Sequence, residues 1–503
     1  MDPNTPVIIG VCQVSERIGE YDYRERSPMD LAGDALAAAL ADAGAKKKLA
    51  PSLDTIAAIR QFEISGTRYG APFGHSNNPP RSIGRRVGAN PARAILEIVG
   101  GQGPQKLVGE LAADIAAGKS KVAAIVGAEA ISTTRALVAS GQSRDWSETR
   151  RGTLEDRGYG HEGVYDFTLI KHGAGAMIAN YALAENVRRE RLGLTLQEYR
   201  EKIGELFAPF TEVAARNPHS AAPTVRSAKE LATLDERNRL VAEPYGRLVV
   251  ARDQVNQGAA IVLASVAEAR RLGVPEERWV HVHAVSTCAE PSLLSRSDLE
   301  RSPAAVAAIS SALEVAGIDL KKPAAIDLYS CFAIPVFNLL DAFKLKVLDP
   351  RGWTLTGGLP FFGGAGNNYS AHGIVEAVAR CRADPGSFAL VGANGGAMSK
   401  YAAAVYSTEP ADWSQTRFNV LPKIEPAFEV LGEYDGEAEA ETFTIQSGKT
   451  GEVSTLIART GQARVCANST DPGVARELRN SKVRGRRARI EAAEDGTNRF
   501  WLI

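Results

Sequence analysis

The chain has 503 residues, 44% apolar and 23% charged, the composition of an ordinary globular protein with room for two or more domains. Lys and Arg number 59 and Asp and Glu also 59, so the charge balance points neither to nucleic acid nor to a solvating acidic tail. No run of 18 apolar residues predicts a membrane span, and "MDPNTPVIIGVCQV" lacks the basic start and apolar stretch of a signal peptide, so the cytoplasm is the expected compartment.

In chain order, "PVIIGVCQ" reads as an opening strand, and "SPMDLAGDALAAALADAG" (Ser27 to Gly44) as a helix with a Ser-Pro start and an Ala-Gly stop, followed by the strand-type run "LDTIAAIRQF". The same order returns at Ser302 in "SPAAVAAISSALEVAGIDLKKPAAIDLYSCF". A second pair repeats too: "VGELAADIAAGKSKVAAIVGAEAIST" from Val108 matches "GIVEAVARCRADPGSFALVGANGGAMS" from Gly373. Val126-Gly127-Ala128 and Val391-Gly392-Ala393 stand 265 positions apart, so the chain reads as a duplication. Each half alternates strand and helix, the pattern of α/β units with buried parallel strands.

Between the halves, the charge-rich stretch 132–245 reads as an insertion of helices and loops. Beyond about Pro410, "FEVLGEYDGEAEAETFTIQSGKTGEVSTLIARTGQARVCANS" alternates Thr, Val, Ile and Phe with polar residues between Gly-containing turns, which predicts a small β barrel. The expected divisions are 1–131, 132–245, 246–410 and 411–503, with a linker at "STEPADWSQTRF". The cysteines Cys12, Cys288, Cys331, Cys381 and Cys466 are odd in number and never spaced Cys-x-x-Cys, which favours free thiols over disulfides or zinc. His281 and His283 share a strand face without Cys or carboxylate companions, so no metal is expected. "SKVRGRRAR" (Ser481 to Arg489) lacks interleaved aromatics and reads as a solvated face or an acidic docking surface rather than a nucleic-acid site.

The two α/β halves, "PVIIGVCQ", "VAAIVGAEAIST" and "RDQVNQGAAIVLAS" together resemble the thiolase superfamily, in its sterol-carrier-type branch, over about Pro6 to Ser407. With the added β domain the whole chain resembles the thiolase-like proteins of type 1. The resemblance implies a duplicated fold layered αβαβα with an insertion and a C-terminal OB-like barrel. It also implies acyl-CoA thioesters as substrate or ligand, acetyl-CoA acetyltransferase-type chemistry, a place in lipid metabolism, and no metal cofactor.

Thiolases carry a nucleophilic cysteine where a first-half helix begins, because helix N–H groups and the dipole stabilise a thiolate. Here "IVGGQGPQKLVGELAADIAAG" puts Gly100 or Gly101 in that place, and "LVGANGGAMSK" puts Ala393 and Asn394 where a second cysteine is expected. No side chain there can be acylated. On the matching second-half loop, "GNNYS" is similar to the Gly-Asn-Thr-Ser loop of chain-initiating ketoacyl synthases. Asn367, near the family histidine's place, is thus a candidate donor to a thioester oxygen, with Gly364 and Gly366 beside it; the competing reading is a plain helix cap. His372 is a candidate base or a structural histidine. "DLYSCF" resembles a family element whose acidic residue is here Ser330, leaving Tyr329 and Cys331 as candidate proton-transfer groups or core residues. "AARNPHSAAP" resembles a segment that covers coenzyme A, so Arg216 and His219 are candidates for its phosphates or pantetheine.

Three functions follow: carbon–carbon chemistry on acyl-CoA without an acyl-cysteine, as in thiolase-fold aldolases that act beside an OB-fold partner; a retired acyl-CoA-binding scaffold; and a module whose β domain recruits a partner protein. Either a monomer or a homodimer is compatible.

Overall fold

Both Ser-Pro pairs start helices. In this computed structural model, which describes residues 1–66, 70–413, 417–448 and 451–503, Ser27 accepts the Asp30 N–H while the Asp30 carboxylate accepts the Ser27 N–H, a reciprocal cap. Ser302 caps the counterpart helix through the Ala305 N–H, and Gly317 ends it in the left-handed region at φ 68°.

The first half runs β1 (Pro6–Ser15), α1 (Pro28–Asp42), β2 (Thr55–Ala58), α2 (Pro79–Val87), β3 (Arg93–Leu96), α3 (Gly103–Ala116) and β4 (Val122–Ala130). The insertion supplies α4 (Ile131–Ala139), β5 (Glu155–Asp156), α5 (Phe167–Lys171), α6 (Met177–Arg191), α7 (Leu196–Arg216), α8 (Ala228–Ala232), β6 (Leu240–Ala242) and β7 (Tyr245–Gly246). Strand β8 (Asn256–Ser265) and α9 (Val266–Leu272) complete the half. The second half runs β9 (Val280–Ala289), α10 (Pro303–Ala316), β10 (Ala325–Leu328), α11 (Ala333–Ala342), α12 (Tyr369–Ala383), β11 (Phe388–Gly395) and β12 (Lys400–Ser407). Then come β13 (Phe418–Val420), β14 (Glu429–Leu431), β15 (Gly436–Gly448), β16 (Gly451–Thr460), β17 (Ala463–Ser469), α13 (Pro472–Asn480), β18 (Arg487–Ala492) and β19 (Asn498–Leu502). The 265-residue offset that aligns the two Val-Gly-Ala triplets carries α3 onto α12 and β4 onto β11 to within a residue at their starts.

The strands of both halves are joined in the order β10-β11-β12-β9-β1-β8-β4-β2-β3-β5. The join is short, Val7 opposite His281 and Ile8 opposite Val280. Helix α1 packs on β1, β4 and β8, and α10 on β9 and β12, while α3 and α12 touch each other and strands of both halves. The layering is αβαβα, and β4, β8 and β11 are buried along their whole length.

The sheet is mixed rather than parallel throughout. Strands β2, β3 and β4 pair in parallel, but β8 runs antiparallel to β4 and β1. Because Ala130 lies opposite Asn256, the insertion leaves and returns at one end of the sheet.

At the C-terminus, β15, β16, β17, β19 and β18 close into a five-stranded OB-like barrel, with α13 between its third and fourth strands in chain order. Closure leaves the ring no open edge, and Phe443, Leu456, Val465, Ile490 and Phe500 fill it. The stretch after Pro410 is no free tether where it is described: β13 pairs in parallel with β9, Leu421 and Ile424 donate to the Thr287 and Ala289 carbonyls, and the barrel begins only at Gly436. From the insertion, β6 pairs with β15, so the barrel is stitched to the core from two sides. The basic run is largely compensated, with Arg486 on Glu477, Arg487 on Glu437 and Arg489 on Glu491.

Candidate active site

Four segments that begin helices meet around one cavity of about 430 Å³. Gly100 and Gly101 lead into α3, Gly175 and Ala176 into α6, Cys331 and Phe332 into α11, and Gly366 and Asn367 into α12. None of these four helices has a side-chain cap from its N-cap residue. The cavity therefore lies at the positive ends of several helix dipoles, a setting that favours negative charge on a ligand. Near the start of α11 lies the buried Glu185 carboxylate, which accepts the hydroxyls of Tyr199 and Tyr245.

Gly101 is a glycine because Tyr329 leaves no room for anything else. A Cβ at position 101 would meet the Tyr329 hydroxyl, the Tyr329 ring at 2.7 Å and the Asn394 carbonyl at 2.6 Å. The Tyr329 side chain thus fills the space over Gly101, one of the two positions, Gly100 and Gly101, at which the resemblance puts a nucleophile. The residue is 8% exposed, and its hydroxyl has no hydrogen-bond partner among the described residues. Burial, then the neighbouring Cys331, hold the phenol above its ordinary pKa, so it is a hydrogen-bond donor at neutral pH.

Cys331 precedes the N-terminus of α11, yet burial pushes its thiol up to about 12. A helix start favours a thiolate, but here desolvation outweighs the dipole and the group is a neutral thiol. Asn394 bridges the site: its Nδ2 donates to the Tyr181 hydroxyl at 2.9 Å and lies 3.8 Å from the Cys331 sulfur, while its Oδ1 is buried without a partner. The Tyr181 hydroxyl donates to the Gly396 carbonyl at 2.8 Å, and its ring stacks on Phe332 at 4.4 Å.

Asn367 lines the cavity, but its amide is committed. Its Oδ1 accepts the Gly100 N–H at 2.9 Å, and its Nδ2 donates to the Arg60 carbonyl at 2.7 Å and to Ser65 Oγ at 3.1 Å. Every hydrogen on Nδ2 is used within the protein, so in this geometry Asn367 braces the two halves rather than offering a free donor to a thioester. Nearby, Ser370 Oγ donates to the Gly101 carbonyl at 2.6 Å, and Asn368 Nδ2 to the Gly127 carbonyl at 2.7 Å.

His372 is not part of the cavity wall. It lies fully buried in α12, with Nδ1 donating to Gln13 Oε1 at 2.9 Å, and burial holds its pKa at about 3. It is a neutral core imidazole, not a poised base. Arg216 and His219 also lie apart: Arg216 lines a separate groove of about 560 Å³, and His219 bonds Ser15 Oγ at 3.0 Å. Tyr329, Cys331, Gly364, Gly366 and Asn367 are the expected residues that the fold brings together. Among the described residues no three His, Cys, Asp or Glu side chains are grouped to hold a metal ion.

No family model and no curated protein matches the chain. Among solved structures, it is similar to a monomeric SCP2-thiolase like protein type 1 from Mycobacterium smegmatis, with 42% identity over 100% of both chains and a TM-score of 0.84. The chain belongs to this family of type 1 SCP2-thiolase-like proteins. At 19% identity and TM-score 0.59 it also resembles the structure named "Ltp2-ChsH2(DUF35) aldolase", covering 81% of this chain and 98% of that one. At 16% and 0.55 it resembles the acetyl-CoA acetyltransferase from Syntrophomonas wolfei, covering 80% and 99%. At those identities the likeness is one of fold.

Three features of this thiolase-like chain escape sequence reading. Met177 and Tyr181, from the insertion, form one cavity wall. At the mouth, Arg252 lines the cavity; partial desolvation, then the charges of Arg247 and Arg226, hold its guanidinium below the ordinary value. No carboxylate pairs with any of these three arginines among the described residues. Behind Gly366, the buried Glu129 carboxyl accepts the Phe62 N–H at 2.9 Å, and desolvation pushes its pKa to about 8. Neither "VAAIVGAEA" nor "EPYGRLVVARDQ" carries a motif that signals these roles.

Proposed function

We propose that this type 1 thiolase-like protein binds acyl-CoA thioesters in the cavity and carries out carbon–carbon chemistry of the aldolase kind without an acyl-enzyme. One observation carries the reading: the unpartnered Tyr329 hydroxyl stands over Gly101, at the start of α3, where a nucleophile is expected and no side chain fits. The cavity offers donors in Tyr329 and Cys331 and, among its described lining residues, one carboxylate, Asp253, exposed and paired with Arg135, to take the hydroxyl proton that retro-aldol cleavage releases. Tyr329 and Cys331 both keep their protons at neutral pH. Such a site stabilises negative charge developing on a thioester carbonyl oxygen, as an enolate or alkoxide requires, with the α3 and α12 N-termini adding to the effect.

In this reading the unpaired Arg226, Arg247 and Arg252 receive the phosphates of coenzyme A, in place of Arg216 and His219. Met177, Val164, Phe332 and Leu359 surround the acyl group. The family relative described as monomeric supports a monomer here as well, and β5 covers the edge of β3.

The test is Tyr329→Phe, which keeps the ring and removes the hydroxyl. With 3-hydroxyacyl-CoA as substrate for retro-aldol cleavage, turnover should fall by about 10²–10³ while coenzyme A affinity holds, the range for loss of one oxyanion donor. A wild-type protein that binds acyl-CoA and turns nothing over favours the scaffold reading instead.

A further inference from the structure

The cavity wall formed by Gly175, Ala176, Met177 and Tyr181 belongs to a segment whose other side is held by the barrel. At its upstream end, His172 is fully buried, donates from Nδ1 to the Thr168 carbonyl at 2.7 Å, and accepts the Asn498 N–H of β19 on Nε2 at 2.9 Å. Both ring nitrogens are used, which fixes one neutral tautomer. Next to it, Gln446 Nε2 of β15 donates to the Gly173 carbonyl at 2.7 Å, and Val453 closes over Gly173. At the downstream end, Thr442 Oγ1 of β15 donates to the Leu183 carbonyl at 2.7 Å, and Asn186 Nδ2 donates to the Phe443 carbonyl at 2.9 Å. Along the same segment Leu169, Ala179, Leu183 and Val187 pack with Ile457 and Cys466 of the barrel.

Barrel groups thus bond the backbone immediately before the four wall residues and again two residues after them. From the thiolase-like core, the wall is held at Tyr181, whose hydroxyl donates to Gly396 and accepts from Asn394 and whose ring stacks on Phe332, and by the packing of Met177 on the same core. The helix start has no side-chain cap from Ala176 and follows Gly173 and Gly175, and its local hold is Asn180 Nδ2, which donates to the Ala174 and Ala176 carbonyls.

We infer that the C-terminal barrel is a working part of the cavity: Thr442, Gln446, His172 and Asn186 act as positioning residues that hold the α6 wall in its ligand-ready place. The ligand arm of the inference rests on the acyl-CoA reading; the mechanical arm does not. A barrel used only to recruit partners needs no bonds aimed at both ends of one wall.

The experiment is backbone hydrogen exchange on the full chain, comparing wild type with Thr442→Val and Gln446→Ala, alongside calorimetric titration with coenzyme A. Each variant should speed exchange of amides at 173–181 by about five- to tenfold, the scale of one neutral hydrogen bond, while amides of β16 and β17 keep wild-type protection. Coenzyme A affinity should weaken by a similar factor, and Thr442→Ser, which keeps the hydroxyl, should restore both. Unchanged exchange at 173–181 in both variants overturns the inference, as does uniform loosening of wall and barrel together. If wild type fails to bind coenzyme A, the functional reading fails, and the exchange comparison alone still decides whether the barrel holds the wall.

Discussion

The Tyr329 hydroxyl occupies the volume that any side chain at position 101 would need, so the two residues are packed as a pair although 228 positions separate them in sequence. Gly101→Ala should therefore cost about 1–3 kcal/mol of stability, the usual range for overpacking a filled core. Shortening the partner should relieve part of that cost. A urea-denaturation double-mutant cycle with Tyr329→Ala should give a coupling of about 1 kcal/mol or more, and strict additivity would contradict the packing argument. By the same geometry Gly101→Cys alone should not create thiolysis, because Tyr329 holds the space the thiol requires.

Asn367 should prove more important for folding than for ligand contact. Asn367→Ala leaves the Gly100 N–H, the Arg60 carbonyl and Ser65 Oγ without their partner. Buried unsatisfied groups cost about 1–3 kcal/mol each, so the variant should melt markedly earlier. Turnover per folded molecule should fall by less than about tenfold, against the larger loss that a primary oxyanion donor would give.

Two buried groups set opposite ends of the pH–stability profile. His372 is held at about 3, below its ordinary 6.5, so the unfolded chain takes up the proton more readily. Its contribution is full above pH 6.5 and is lost as pH falls from there toward 3. His372→Gln should flatten that acid limb. Glu129, raised from 4.5 to about 8, has the reverse sign: its contribution is full below 4.5 and is lost as pH rises through 8. Glu129→Gln should reduce the alkaline loss, measured by denaturant midpoints across the range.

Cys331 should resist acylation and alkylation. With its thiol pushed up to about 12 and its side chain buried, the thiolate fraction at pH 7.5 is negligible. Intact-protein mass spectrometry after incubation with acetyl-CoA should show no stable adduct. An acetyl group mapped to Cys331 would overturn the non-covalent mechanism.

The duplication was legible because it is local: helix starts, Ala-rich faces and the Val-Gly-Ala strand ends recur at a fixed offset. The barrel was legible for the same reason, as alternation between glycine turns. The site was half legible. Glycines near the helix starts and the "DLYSCF" strand end pointed to Gly364, Gly366, Asn367, Tyr329 and Cys331, and the fold brings these together. What sequence could not supply was the use each group is put to. Whether Asn367 donates to a ligand or to Arg60 depends on a contact 307 residues distant. His372 sits one turn from Asn367, yet the helix rotation carries it into the core beside Gln13. The wall residues Met177 and Tyr181 belong to a segment whose pattern is simply helical, and its place depends on contacts far off in sequence, with Gly396 and Phe332 on one side and the barrel on the other.

The most direct measurement is a crystal structure with a non-hydrolysable acyl-CoA analogue. The thioester carbonyl oxygen should lie within hydrogen-bond distance of Tyr329 Oη, with the coenzyme's phosphates against Arg226, Arg247 and Arg252 and no covalent bond to Cys331. An analogue whose thioester lies away from Tyr329, or whose phosphates run along Arg216 and His219, would contradict the account.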